Sequence, residues 1–569
     1  MQRNLPALAN QSFDLLVIGG GIHGACVAWE ASLRGLSIAL VERSDFASGT
    51  SANSLKVIHG GLRYLQTADF RRMRQSIRAR QTMMRIAPHL VHPMPVLVPT
   101  YGHSIKGKEA MAIALKLNDL ISCDRNLSLS DPQKHIPAGE MLSRDACLEQ
   151  LPDLAAEGLT GAARFYDAQM YNSEQLVLAF LRSAASRGAQ IANYVSAIDF
   201  CKEGDRVVAA NVEDQLTGDR FTIQAKTVVN ASGPWIDALI AQATGNAKPP
   251  QPLAKAMNLV TRSLFGPQQK CAVGITGRAP GSRLFFIAPW RDHSLVGTWY
   301  GPDTEQTKPP SATSTEIKSF LADINKAYPT FNLTPDDVQW VHSGLLPSYG
   351  ISEKTGEVQL TKQFQLTDHR SDGFEGLLSM TGVKYTTAYD LARRAVDWAV
   401  RAGGTSHKPL PLSHKAPLSN QERLQGGRIE RFDRFMETAM TTYREQIPAK
   451  ALRQLVYNYG SDYESVLQCV QPSLKGTSVP VSNQDVLAAE VRYSLAHTMP
   501  QTLSDVIFRR TELGAVGHPG SEALQLCSDV MAEALDWSLE KKQAEVQQVQ
   551  QCFDQRCPAQ SSVRPPCPV

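Results

Sequence analysis

The chain has 569 residues, 43% of them hydrophobic and 20% charged, with a formal net charge of +3. That length exceeds what one core organises, so about two to four domains are expected. The near-balanced charge gives no global case for nucleic acid, and the composition excludes wholesale disorder. Ten cysteines contain no C-x-x-C pair, which argues against a zinc site or a disulfide framework and fits a reducing, cytoplasmic setting. Residues 1–12 carry no long apolar segment and read as no signal peptide. No apolar run approaches the ~20 residues of a membrane-spanning helix.

Leu15-Leu16-Val17-Ile18 is a continuous apolar run, the pattern of a strand buried on both faces of a parallel sheet. A G-x-G-x-x-G loop follows at Gly19, Gly21 and Gly24. Ala25 to Arg34 reads as a slim helix, Gly35 ends it, and Leu36 to Val41 is a second strand with Glu42 at its end. The first glycine permits the turn, the second admits a pyrophosphate, and the third lets helix and strand pack closely. The helix N-terminus presents unpaired N–H groups to phosphate. Glu42 can accept both ribose hydroxyls of an adenosine and repels a 2′-phosphate, which disfavours NADP. The motif by itself does not choose between FAD and NAD.

Further along, Phe70 to Ala87 reads as a helix with six arginines, a solvated basic face or a lipid-facing one. Ala189 to Val195 reads as a strand near the adenine, and Phe285 to Trp290 with Leu295 to Tyr300 as a hairpin. Thr313 to Glu316 fits a capping box ahead of Ile317, Phe320, Leu321 and Ile324 at helical spacing. Residues 402–417 form a Gly/Pro/Ser-rich linker. From Gln421 the pattern is mostly helical, including Ala449 to Tyr459 and Ser521 to Val549, and residues from 557 are Pro- and Ser-rich and read as disordered.

The segment Ser48-Gly49-Thr50-Ser51-Ala52-Asn53-Ser54-Leu55-Lys56-Val57-Ile58-His59-Gly60-Gly61-Leu62-Arg63-Tyr64-Leu65 resembles the flavin-contacting stretch of the FAD-dependent, respiratory glycerol-3-phosphate dehydrogenases, T-S-x-x-S-x-K-L-I-H-G-G-L-R-Y-L. Val228 to Trp235, Ile287-Ala288-Pro289-Trp290, Thr381 to Thr387, Ala489 to Tyr493 and Asp505 to Thr511 resemble later runs of the same family, in order. The resemblance places the chain in the D-amino-acid-oxidase-like flavoproteins. It implies an α/β Rossmann-type FAD-binding domain made of residues 12–92, 165–245 and 370–408. An antiparallel-sheet substrate domain (93–164 and 246–369), a C-terminal α-helical domain (418–556) and the tail 557–569 complete the expected chain.

For FAD the implied contacts are Gly19, Gly21, Gly24, Glu42, Thr50, Ser51, Ser54, His59, Gly60, Gly61, Val195, Ala231, Gly233, Gly382, Lys384 and Thr386. Thr50, Ser51 and Ser54 are small donors suited to phosphate and ribityl oxygens, and the Gly60-Gly61 pair lets backbone lie close to a flat ring. Thr386 opens a helix whose N-terminus would stabilise a reduced flavin anion.

Oxidising a carbinol needs a base and an anion-binding site beside the cofactor. His59 is the candidate base, with a structural donor role as the equal alternative. Arg63 and Lys384 are the other candidate catalytic residues. They would hold an anionic substrate, with Tyr64 and Lys362 as further substrate contacts. The substrate domain departs from the family pattern. Leu346 stands at the arginine of S-G-V-R-P-L, Lys362 at a second arginine, and Lys255-Ala256-Met257-Asn258 at K-G-S-H. The resemblance implies oxidation of sn-glycerol 3-phosphate, or a closely related hydroxy compound, to the ketone, with electrons passed to quinone. An oxygen-using oxidase of another hydroxy or amino substrate and a non-catalytic flavoprotein remain open alternatives. Expected partners are a small anionic substrate, an electron acceptor, a peripheral membrane contact on the cytoplasmic face and a homodimer, with no nucleic acid and no metal.

Overall fold

The apolar run near the amino terminus forms the strand Ser12–Ile18, with Leu15, Leu16 and Val17 fully buried, as a strand flanked by parallel neighbours on both sides must be. The computed structural model describes residues 1–103, 107–245, 250–266, 270–276, 284–303, 310–353, 356–404, 422–470 and 481–556. The tail expected from 557, and all but the start of the expected linker at 402–417, lie outside the described residues.

Around Ser12–Ile18 a parallel sheet runs in the order Leu377–Thr381, Arg220–Asn230, Ser12–Ile18, Ile38–Val41, Gln190–Ala192. Gln365–Asp368 closes one edge antiparallel, and the hairpin Val195–Glu203 and Arg206–Asp214 attaches to Arg220–Asn230. The helix Ile22–Leu33 packs on the helices Ser173–Ala185 and Tyr385–Ala402, where small residues such as Ala25, Ala28, Ala392 and Ala395 permit close contact. The strand expected over Ala189 to Val195 is split in two. Tyr194 takes a left-handed φ of 56°, so Gln190–Ala192 ends and Val195 starts a different strand.

The second sheet has ten strands, nine along its path and Glu140–Leu142 paired beside it on Leu159–Met170. Its path runs Val358–Leu360, Val338–Ile351, Leu253–Arg262, His293–Pro302, Leu284–Trp290, Ala272–Thr276, Val91–Tyr101, Leu159–Met170, Val57–Ile58. It is antiparallel apart from the pairing of Ala272–Thr276 with Val91–Tyr101. The expected hairpin is present, and so is the capping box of Thr313 and Glu316, which starts the helix Ser314–Ala327. Sheet membership differs from the expected division at four places. Val57–Ile58, the start of Val91–Tyr101 and the end of Leu159–Met170 belong to this sheet, and Gln365–Asp368 to the first one, because strand pairing continues where a division by residue pattern places a break.

The carboxy-terminal part is helical: Phe432–Thr442, Ala449–Tyr459, Asn483–Thr498, Ser521–Leu535 and Leu539–Arg556, with a π-helical turn at Val506–Arg510. One of its cores takes in Trp290 and Trp340 of the second sheet. Among the described residues, no helix is long and apolar enough to cross a membrane, and no group of His, Cys, Asp and Glu is placed to hold a metal ion.

Candidate active site

The glycine loop after Ser12–Ile18 is shaped by close backbone approach. Gly19 has φ 110°, and a Cβ there would press on the Ala231 carbonyl. A Cβ on Gly24 would overlap the Gly19 carbonyl oxygen, so helix and strand meet only because that residue is glycine. Gly21 precedes the helix Ile22–Leu33 and leaves its N-terminus without a side-chain cap from its own residue. The Ser51 hydroxyl accepts from the Ile22 N–H at 3.0 Å.

Glu42 closes the strand Ile38–Val41. Its carboxylate accepts from the Gly20 N–H at 2.7 Å and the Ser44 N–H at 2.9 Å. Burial pushes its pKa above the usual carboxylate range, although those two N–H groups work against the rise. Val195 donates its N–H to the Glu42 carbonyl at 2.8 Å, and Ala231 donates its own to Ile18 at 2.8 Å. Gly233, at φ 63°, turns the chain after Arg220–Asn230. Gly382 lies against the ring of His23, whose buried Nε2 has no partner among the described residues. Burial lowers the His23 pKa to about 4, so the ring is neutral. Thr386 is buried in the first turn of the helix Tyr385–Ala402. A helix N-terminus that begins at a glycine, a glycine cradle, an acceptor at the end of the second strand and an orphaned imidazole nitrogen fit a dinucleotide cofactor.

The segment from Thr50 to His59 crosses one face of the second sheet. Thr50 Oγ1 donates to the Leu345 carbonyl at 3.0 Å and accepts from the Leu345 N–H at 3.2 Å. Its hydrogen is therefore given to the protein, and one acceptor lone pair is left. Leu55 and Asn258 both lie against Gly297, and the Asn258 side-chain Oδ1 accepts from Thr298 Oγ1 at 2.7 Å. Lys56 stands over the Trp290 ring at 5.3 Å, and the His59 ring lies 6.0 Å from that of Phe286. Phe286 and Trp290 are four residues apart on one strand, hence on the same face. Ser54 Oγ accepts from the Lys56 N–H.

His59 Nδ1 is 2.9 Å from Asp167 Oδ2, and Asp167 Oδ1 accepts from the Gly60 N–H at 2.5 Å. Burial alone would raise the Asp167 carboxyl. The His59 bond, the Arg80 guanidinium at 3.6 Å and the Gly60 N–H outweigh it and hold the pKa below the usual range. A Cβ on Gly60 would strike the Arg80 guanidinium, so the protein itself already requires glycine there. Arg80 is itself buried, so the helix Phe70–Ile86 is not a uniformly solvated basic face. Gly61, at φ 89°, starts the 3₁₀ turn Leu62–Thr67 that carries Arg63 and Tyr64. Arg63 is exposed and forms no ion pair with described residues. Lys384 Nζ donates to the Tyr64 hydroxyl at 2.7 Å and sits 5.0 Å over its ring.

The structure thus brings His59, Arg63, Tyr64 and Lys384 to one region. It does not bring Lys362 to them. That residue is exposed, just past the strand Val358–Leu360 at the far end of the second sheet's path from Val57–Ile58. Two residues of the site escaped sequence reasoning. Asp167 sits mid-strand, 108 residues from His59, and only strand register joins them. Lys56 is buried, with Nζ donating to Ser173 Oγ at 2.8 Å and to Glu174 at 3.1 Å. Burial lowers its pKa, and Glu174 restores part of the loss. Its place in the K-V-I-H-G-G run was the one available signal.

A family described as FAD dependent oxidoreductase matches residues 14–385, and one described as the C-terminal domain of alpha-glycerophosphate oxidase matches residues 418–542. Glycerol-3-phosphate dehydrogenase of Synechocystis sp. is 31% identical over 98% of this chain and 99% of its own length. The mitochondrial glycerol-3-phosphate dehydrogenase of Homo sapiens is 30% identical over 96% of this chain and 74% of its own. Among solved structures, the glycerol-3-phosphate dehydrogenase of Bacillus halodurans, complexed with FAD, superposes with a TM-score of 0.74 at 26% identity, covering 99% of this chain and 97% of that one. The glycine cradle, the buried strand order and the matches over nearly the whole length agree: the chain belongs to the FAD-dependent glycerol-3-phosphate dehydrogenase family.

Proposed function

We propose that the chain oxidises sn-glycerol 3-phosphate, or a closely related hydroxy compound, to the ketone, and that a quinone takes up the electrons. The observation that carries this reading is the His59–Asp167 pair in the same short segment as Arg63 and the Tyr64–Lys384 contact. Asp167 accepts the Nδ1 proton of His59, which leaves the Nε2 lone pair free to take the carbinol proton. Arg63 offers a planar fork for a phosphate or carboxylate, and Lys384, held by Tyr64, adds a point charge. Bound FAD supplies the hydride acceptor. Glu42, Gly19, Gly21 and Gly24 are assigned to the adenosine and pyrophosphate, and Gly382 and Thr386 to the flavin end.

Leu346 lies on the same face of its strand as Gly344, which touches Thr50. An apolar side chain there leaves the anion to Arg63 and Lys384, and this supports a substrate range reaching beyond phosphate esters. Contact with an anionic lipid surface belongs to the same proposal. On the helix Lys108–Ile121, Ile113 is 69% and Leu120 72% exposed, with Leu127 at 68% nearby. Arg74 of the neighbouring basic helix, whose Arg71 and Arg78 are exposed, holds Asp124 beside them.

Anaerobic mixing of the yellow protein with glycerol 3-phosphate, followed at the flavin absorbance, tests the reaction. Rapid bleaching is expected, with reoxidation by added quinone. Bleaching only by another hydroxy or amino compound overturns the substrate, and fast oxygen uptake without quinone overturns the acceptor.

A further inference from the structure

We propose that the C-terminal domain positions the adenosine end of the cofactor site through the buried Arg510–Asp45 pair. Asp45 lies three residues past Glu42, in the turn that carries Glu42 against the glycine loop: Ala47 donates its N–H to Gly20, and Ser44 donates its own to the Glu42 carboxylate. The Asp45 side chain points the other way, into the C-terminal domain. Arg510 grips it with two parallel bonds, Nη1 to Oδ2 at 2.8 Å and Nη2 to Oδ1 at 2.7 Å. Arg510 is itself fixed by bonds to the Thr498 hydroxyl and carbonyl, both at 3.0 Å. Arg509 also donates to Asp45 and is anchored on Asp505 at 2.6 Å, while Asn193 donates to Asp45 Oδ1 at 3.0 Å.

Both members of the pair are 1% exposed. Burial would raise the Asp45 carboxyl, but the charges and hydrogen bonds of Arg510 and Arg509 outweigh it and hold the pKa below the usual carboxylate range. A charge so deeply buried does not tolerate loss of its partner, so the turn follows the arginine. The two arginines occupy the π-helical turn Val506–Arg510, an irregularity that recurs at functional positions. Glu42 has its backbone on the parallel sheet, through Ala192 and Val195, but among the described residues its carboxylate is hydrogen-bonded by Gly20 and by Ser44 of the Asp45 turn. The C-terminal domain therefore acts on cofactor retention from outside the Rossmann unit.

This inference rests on the assignment of Glu42 to the adenosine, and its test separates the two. FAD release from the holoenzyme is followed by recovery of flavin fluorescence, well below the unfolding temperature, in R510K, D45N, E42Q and R182K. R182K weakens a different tie to the same domain, the Arg182–Asp462 pair at 2.8 Å. R510K and D45N are each expected to speed release about tenfold or more, the effect of one lost charged hydrogen bond. R182K is expected to leave the rate near that of the unaltered protein. Should D45N fail to fold, R510K keeps the charge and reads the lost fork alone. Release at the unaltered rate in E42Q removes the adenosine assignment. Fast release in E42Q with unaltered release in R510K and D45N overturns the inference, as does equally fast release in R182K, which would mark general loosening of the domain.

Discussion

His59 and Asp167 face each other because Val57 pairs with Gln169 and Ile58 with Ala168, so the next step of an antiparallel register sets Nδ1 of the histidine 2.9 Å from Oδ2 of the aspartate. If that imidazole takes the carbinol proton, His59→Ala lowers the rate of flavin reduction by about a hundredfold to ten-thousandfold. Asp167→Asn is expected to leave the fold and FAD content intact and to slow reduction by more than about tenfold, since the amide no longer selects the Nδ1 proton. Stopped-flow reduction across pH reads both, and a fast, pH-independent His59→Ala enzyme would return His59 to a structural role.

Arg63 has no ion-pair partner among the described residues, so its removal leaves no orphaned carboxylate behind. Arg63→Ala is therefore expected to raise KM about tenfold to a hundredfold, the worth of a charged hydrogen bond, with a smaller change in kcat. Lys384→Met acts the same way through the lost point charge and the freed Tyr64. Steady-state kinetics with a neutral polyol as comparison substrate checks the assignment, because a neutral substrate should not feel either change.

Gly24→Ala places a methyl on the Gly19 carbonyl, where backbone and not a flexible side chain must yield. Overpacking of this kind costs about 1–3 kcal/mol. The expected outcome is a chain that folds with FAD affinity reduced about tenfold or more, read from the flavin-to-protein absorbance ratio after gel filtration.

Glu490 is a buried carboxyl whose titration reaches neutrality. Burial, and then the charge of Glu512, raise its pKa to about 8, while a hydrogen bond from Tyr459 at 3.2 Å opposes the rise. In the unfolded chain the carboxyl ionises near ~4.3. Folding therefore takes up a proton within that window, and this contribution to stability is present below the unfolded pKa and lost as pH rises through the folded one. Glu490→Gln removes the titration. Its unfolding temperature is expected to match that of the unaltered protein at low pH and to exceed it by at least about 2 °C above pH 8. A difference that does not grow with pH would show that Glu490 folds ionised.

The elements written in local chemistry were legible in the sequence: the apolar run before Gly19, the capping box at Thr313, the helix Ala449–Tyr459 and the hairpin ending at Trp290. So were the residues of the Thr50–Tyr64 segment, because one continuous signature carries them. What stayed hidden depends on register or on three-dimensional neighbours. Asp167 is one acid in a long strand until the pairing with Val57–Ile58 selects it. The need for glycine at position 60 was visible, but the Arg80 side chain that also requires it was not. Tyr194 gives no composition signal for the left-handed φ that splits the expected strand. The arginines at 509 and 510 carry no sequence signal for their shared partner Asp45, which lies 464 and 465 residues away and is brought to them by the fold.

The link between Asp45 and Arg510 spans 465 residues and has a consequence for biosynthesis. A ribosome emits the glycine loop and Glu42 within the first tenth of the chain, yet the strand Leu377–Thr381 and the helix Tyr385–Ala402 emerge much later, and the arginine grip later still. Contacts this distant along the chain form late, after their loop-closure entropy is met. Until those segments are made the Rossmann half lacks the strand Leu377–Thr381 and Asp45 lacks its arginine, so capture of the flavin is expected late, by an almost complete polypeptide.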